Sequence, residues 1–136
     1  MRLSNMADYA VLTMSAAARH CGGRRVSAAE LAEETRLPVP TVQKLVSRLT
    51  AAGLLRSSRG VGGGLKLARP AAAITLADII EAVEGPIALT PCVDAARPDC
   101  TLEVCCSVRP HWAIIGAAVR GALAEVPLTR LVDTTP

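Results

Sequence analysis

The stretch that decides the fold is SAAELAEETRLPVPTVQKLVSRL, residues 27–49. Ser27-Ala-Ala-Glu30 is a capping-box pattern, in which the serine hydroxyl and the glutamate carboxylate each satisfy a backbone N–H that the first turn of a helix leaves without a partner. It predicts a short helix ending near Thr35. Arg36-Leu37-Pro38-Val39-Pro40 cannot continue that helix, because proline lacks an N–H and restricts the residue before it, yet Pro40 suits the first turn of a new one. In the second helix Val42, Leu45, Val46 and Leu49 recur at helical spacing as one apolar face, and Gly53 ends it. Its other face carries Thr41, Gln43, Lys44, Ser47 and Arg48. Two helices joined by a few residues, the second with a basic, amide-bearing outer face, predict a helix-turn-helix.

Downstream, Leu54 to Ser58 and Leu65 to Arg69 read as two strands around Arg59-Gly-Val-Gly-Gly-Gly64, a hairpin tip of residues that tolerate positive φ, and so as a wing. Upstream, Ser4 or Asn5 caps a first helix whose apolar positions Leu3, Ala7, Ala10, Val11, Met14, Ala17 and Ala18 recur at helical spacing until Gly22-Gly23; Val26 opens the next element. After the wing, Thr75 and Asp78 begin a helix with Ile79, Ile80 and Val83 apolar, which stops at Gly85-Pro86. A loop of about twenty residues comes next, a length that in compact domains usually marks function or disorder. The chain re-enters helix from about Pro110 to Glu125, with Trp112, Ile115, Val119 and Leu123 along one stripe and Ile114 and Ala118 widening it. Such a helix is too apolar to stand alone in water. It packs on the first half or forms a dimer seam, and its separation from the winged domain favours the seam. The expected fold is mainly α: a winged helix-turn-helix with a two-stranded wing and a long C-terminal dimerisation helix. The expected division is a DNA-binding domain over residues 1–85, a cysteine-rich loop over 86–107, and the dimerisation helix with the C-terminal segment over 108–136.

At 136 residues there is room for one modest core and little else. The chain is 51% hydrophobic but only 1% aromatic, so that core must be aliphatic and alanine-rich, which favours packed helices over a β-sandwich. No basic segment precedes an apolar run at the N-terminus and no apolar stretch is long enough to span a bilayer, so a cytoplasmic protein without membrane contact is expected. The net charge of +3 conceals an asymmetry: residues 1–70 hold eleven Lys or Arg against four Asp or Glu, whereas residues 71–136 hold four against eight. A surface for a polyanion therefore belongs to the first half. There Gln43 can pair with adenine, Lys44 and Arg48 with guanine, and Thr41 and Ser47 with phosphate. Arg59 can enter a narrow minor groove while Gly60 and its neighbours let the wing backbone approach phosphate. Double-stranded DNA is the expected partner. The glycine tip is no nucleotide-binding P-loop, since no Lys-Ser or Lys-Thr comes after it. With neither an acid–base pair nor a nucleophile constellation, an enzyme acting on a small-molecule substrate is not expected.

Five cysteines in a reducing compartment point to metal or redox chemistry rather than disulfides. Cys92 and Cys100 are separated by seven residues and Cys100 and Cys106 by five, so three thiolates share the loop. Thiolate is the ligand that iron–sulfur clusters prefer. The spacing lacks the paired C-x-x-C knuckles of structural zinc sites, which counts against zinc without removing it. Neighbouring Cys105 and Cys106 equally suit a thiol switch or plain reduced cysteines, so the spacing leaves all three readings open. Cys21, far away in sequence, reads as a small buried residue. A fourth ligand could come from Cys105, His111 or Asp8, or be a small molecule.

Taken together these residues resemble the Rrf-two superfamily of winged-helix regulators, which includes regulators of the Isc and Suf iron–sulfur assembly systems and a nitric-oxide-sensing repressor. Met1-Arg-Leu-Ser4 followed by Asp8-Tyr9-Ala10-Val11 is similar to the family's opening, Arg59-Gly-Val-Gly-Gly-Gly64 to its wing, and Ile79-Ile80-Glu81-Ala82-Val83-Glu84-Gly85 to the stretch before its cysteine loop. Glu84 to Thr90 and Val108 to Trp112 look most similar to the Suf-system branch. The resemblance implies that Cys92, Cys100 and Cys106 bind a 2Fe–2S or 4Fe–4S cluster, and that Trp112 lies in a dimerisation helix. It further implies a homodimer regulating iron–sulfur assembly genes according to cluster state, repression being the expected sign. A nitric-oxide or redox sensor of the same fold and a cluster-free thiol switch are the alternatives. The Isc regulator's histidine ligand falls where this chain has Arg109, so that ligand set does not transfer. The nitric-oxide sensor's aspartate ligand matches Asp8, which implies ligation across the dimer; Cys105 and His111 stand behind it.

Overall fold

Ser4 stops the chain from being helical any earlier. Its hydroxyl accepts from the Ala7 N–H at 3.1 Å, and α1 runs over Asn5–Arg19 with His20 as its C-cap. Leu3, expected on the apolar stripe, therefore precedes the helix and is 56% exposed, while Ala7, Ala10, Met14 and Ala17 are buried. The helix also ends before the expected Gly22-Gly23. The computed structural model describes residues 2–20, 22–94 and 107–132.

The capping box forms as the sequence dictates. Ser27 Oγ accepts from the Glu30 N–H and Glu30 Oε2 accepts from the Ser27 N–H, opening α2 over Ala28–Thr35. Arg36 closes α2 in the left-handed conformation at φ 58°. With Pro38 as N-cap and Pro40 in its first turn, α3 spans Val39–Ala51 and buries Val42, Leu45 and Leu49, with Val46 half-buried. The wing strands are β1, Leu55–Ser58, and β2, Gly64–Leu67, each slightly shorter than expected. They pair antiparallel with Leu55 opposite Leu67 and Arg56 opposite Lys66. Val26 adds a third, one-residue rung by exchanging both backbone hydrogen bonds with Leu65, at 3.1 and 2.7 Å.

A second capping box, Thr75 with Asp78, opens α4 over Leu76–Glu84, which packs mainly on α1 and also touches α3. The long helix α5 covers Arg109–Ala124 and rests on α4, where Arg120 Nε donates to Glu81 Oε1 at 2.7 Å. Beyond α5 the chain does something that no local pattern announces. Val126 O accepts from the Leu76 N–H, Leu128 donates to Ile74 O, and the five-residue α6, Leu128–Val132, returns to pack on α1 with Leu128 fully buried. The C-terminal segment thus closes the core of the winged domain. That core is aliphatic, as composition required, and among the described residues no aromatic side chain is fully buried. No helix among them is long and apolar enough to cross a membrane.

Candidate nucleic-acid interface and cysteine loop

Because α3 buries the 42, 45 and 49 positions, the residues at 40, 43, 44 and 47 share the opposite face. Gln43, Lys44 and Ser47 are exposed there, and Thr41 is half-buried at its margin. At the wing Arg59, Gly60 and Val61 are exposed. Gly60 and Gly62 take φ of 91° and 77°, and a Cβ on Gly63 would lie 2.5 Å from the Ser58 carbonyl oxygen, so glycine is required to fold this tip tightly.

Arg48 differs from its neighbours. Its Nη1 donates to the Val83 carbonyl at 2.9 Å, filling one of the acceptors left open at the C-terminal end of α4. The expected reader of bases is thus also a strut between the recognition helix and α4. The same end of α4 is held from the other side, where the Ser4 hydroxyl donates to the Glu84 carboxylate. Sequence separation hid both contacts. Behind the helix-turn-helix, Arg24 pairs with Glu30 at 2.7 Å.

Past Gly85 the chain lines a cavity of about 550 Å³ with Ile80, Glu84, Pro86 and Leu89 on one side and Val119 and Leu123 of α5 on another. It then makes a 3-10 turn at Pro91–Val93. Cys92 sits in that turn as a half-buried free thiol, its Sγ 3.1 Å from the Thr90 hydroxyl. Sequence alone does not single out Thr90, although a hydroxyl two residues before a ligand cysteine is a recognisable partner for its sulfur. Cys21, Cys100, Cys105 and Cys106 lie outside the described residues. Asp8 is exposed on the first turns of α1, and His111 is exposed at the start of α5. Among the described residues no three His, Cys, Asp or Glu side chains are gathered as a metal site.

A helix-turn-helix with a glycine-tipped wing, followed by a helix that leads to the turn holding Cys92, invites comparison with known regulators. The family model Rrf2, described as an iron-dependent transcriptional regulator, matches residues 3–134. The chain belongs to the Rrf2 family. Among its Rrf2-type relatives, the regulator IscR of Photobacterium profundum is 33% identical over 97% of this chain and 76% of its own length. Of solved structures, CymR, described as the global cysteine regulator of B. subtilis, superposes with a TM-score of 0.77 at 30% identity, over 100% of this chain and 99% of that one. IscR of T. potens superposes with a TM-score of 0.74 at 26% identity, over 97% and 86%. This Rrf2 chain is therefore a DNA-binding transcriptional regulator with a winged-helix fold, and its relatives are regulators rather than enzymes.

Proposed function

We propose that this regulator is a homodimeric repressor of iron–sulfur assembly genes whose operator affinity follows the occupancy of an iron–sulfur cluster. The observation that carries the reading is the position of Cys92: a free, half-buried thiol on the turn that leads out of α4, the helix packed against both α1 and the recognition helix. The donors fit such a group, since thiolate is the ligand these clusters take and the Thr90 hydroxyl is placed to donate to a Cys92 thiolate. Cys100 and Cys106 would complete the thiolate set, with Asp8 of the opposite protomer as fourth ligand ahead of Cys105 and His111. When bound, a cluster of two or four irons supplies a centre whose charge and integrity respond to redox state and iron supply.

The protein's own part is positional. Gln43, Lys44, Ser47 and Thr41 read the major groove, Arg59 and Gly60 engage the minor groove and its phosphates, and α4 carries the state of the loop to α3 through Arg48. In a dimer the two half-sites would lie about 34 Å apart or a multiple of it. The likeness to CymR supports a second reading, a cluster-free regulator in which the loop cysteines form a thiol switch. Anaerobic purification with iron and acid-labile sulfide assays separates the two. Matched iron and sulfide that fall when Cys92 is replaced by Ser support the cluster, and Asp8→Ala should then destabilise it. A colourless protein after reconstitution, whose DNA binding tracks oxidant and reductant, would establish the switch instead.

A further inference from the structure

The wing sheet carries a second cationic feature, distinct from the α3 face and the wing tip. Val26 and Leu65 exchange both of their backbone hydrogen bonds, so in this antiparallel arrangement Arg25 comes beside Lys66. Lys66 in turn stands directly opposite Arg56. Since side chains alternate along a strand and Val26 and Leu65 point into the core, Arg25, Lys66 and Arg56 form one row across the outer face. Neighbours in such a row have Cβ atoms roughly 5 Å apart, and like charges placed so repel one another.

The charges around the row are already neutralised, and those within it are not. Arg24 pairs with Glu30 and Arg69 with Asp78. Among the described residues none of the three row side chains has an ion pair or a hydrogen-bond acceptor, and Arg25 Nη1 is shut off from solvent without one. Glycine at position 64 leaves room for this arrangement, since a Cβ there would lie 2.9 Å from the Val26 carbonyl oxygen and 3.1 Å from the Arg25 Cβ. Beside the row opens a groove of about 520 Å³ whose charged lining consists of Arg24, Arg25, Arg56, Lys66 and Arg69, with no carboxylate among its lining residues.

We infer that the Arg25–Lys66–Arg56 row is a phosphate-binding site, and that its occupant is a backbone phosphate of DNA beyond the segment read by α3 and the wing tip. Two guanidinium groups and an ammonium offer a converging set of charged donors to the oxygens of one phosphate or two successive ones. A bound phosphate removes the repulsion within the row and gives its exposed N–H donors an acceptor. DNA is favoured over a free anion because Arg56 lies three residues before Arg59 on the same hairpin, roughly 10 Å along the strand. A duplex engaged by the wing tip passes within reach of these long side chains. The inference rests on the DNA-binding role of the chain and adds a contact to it.

The test uses the full chain and a duplex selected by the unaltered protein from a random-sequence pool, prepared both at its minimal length and extended at each end. Arg56→Thr/Lys66→Thr, two exposed changes to a good strand former, should leave the melting temperature unchanged or raise it at low salt. On the extended duplex the double variant should bind roughly tenfold more weakly, with a salt slope smaller by about 1 to 2, and on the minimal duplex nearly normally. Coincident affinities and salt slopes on the extended duplex would overturn the assignment. So would a saturable response to pyrophosphate that the double variant loses while its DNA curves stay unchanged, since the site would then serve a free oxyanion. Failure of the unaltered protein to bind any selected duplex would overturn the DNA-binding role itself, an outcome separate from a defect confined to the variant.

Discussion

At the start of α2, the Glu30 carboxylate accepts from Arg24 and from the Ser27 N–H, each at 2.7 Å. The Arg24 hydrogen bond is the larger cause, the capping-box N–H the next, and together they hold the Glu30 pKa down at about 2 against an ordinary 4.5. A carboxylate whose pKa is lower in the folded than in the unfolded chain stabilises the fold fully above the unfolded value. That stabilisation is lost as pH falls toward the folded value. Glu30→Gln should therefore melt below the native protein near neutral pH, and the gap should close between about pH 4.5 and pH 2. Melting curves of both proteins across that range check this, and a gap independent of pH would show that the ion pair does not form in solution. The position matters because α2 is the helix that props the recognition helix against the core.

Among the elements, α3 and α4 are joined at a point that bears on regulation. The Arg48 guanidinium reaches the Val83 carbonyl in the last turn of α4, two residues before Gly85 turns the chain toward Cys92. Arg48→Met keeps much of the aliphatic stem but removes the donor, and should cost about 1 kcal/mol in stability, the usual net value of a hydrogen bond at a partly exposed site. Under the proposed cluster-dependent regulation it should also shrink the difference in operator affinity between the cluster-loaded and cluster-free protein. Equal titrations of the two forms by the variant, against unequal ones by the native chain, are the expected result; a preserved difference would place the coupling elsewhere. Local signals made these helices legible: Ser27 with Glu30 and Thr75 with Asp78 fixed the starts of α2 and α4, and Gly85 the end of the latter. The features beyond reading were non-local. The Arg48 contact spans thirty-five residues, α6 is too short for periodicity to show, and Arg56 and Lys66 become a row only once the strand register is known. Conversely, Leu3 fitted the helical stripe but lies outside the helix, because the Ser4 cap outranks apolar spacing.

At the scale of the whole molecule, α5 is the element whose surface chemistry a single chain does not satisfy. One side rests on α4 through the Arg120–Glu81 pair, with Trp112, Val119 and Leu123 half-buried. The other presents Ile114 at 68% exposure and Ile115 at 42%, among exposed Ala113, Ala117, Ala118, Gly121 and Ala122. Small residues around two isoleucines let a second helix approach closely, and a two-fold axis along this face would place each contact twice. The proposed homodimer accounts for why so apolar a face is tolerated on a small regulator. Burying each Ile114 side chain contributes about 2 kcal/mol, so the two copies in a seam contribute about 4 kcal/mol, or roughly a thousandfold in the dimer dissociation constant. Ile114→Asp should lose at least that much, since it also buries a carboxylate without a partner. Because Ile114 takes no part in the core of the winged domain, the variant should keep its helical circular dichroism while sedimenting as a monomer. It should still bind a single half-site weakly through α3 and the wing, but lose the gain that a two-half-site operator gives the native protein. A variant that sediments as a dimer would move the seam off this face of α5 and with it the route by which two recognition helices are spaced.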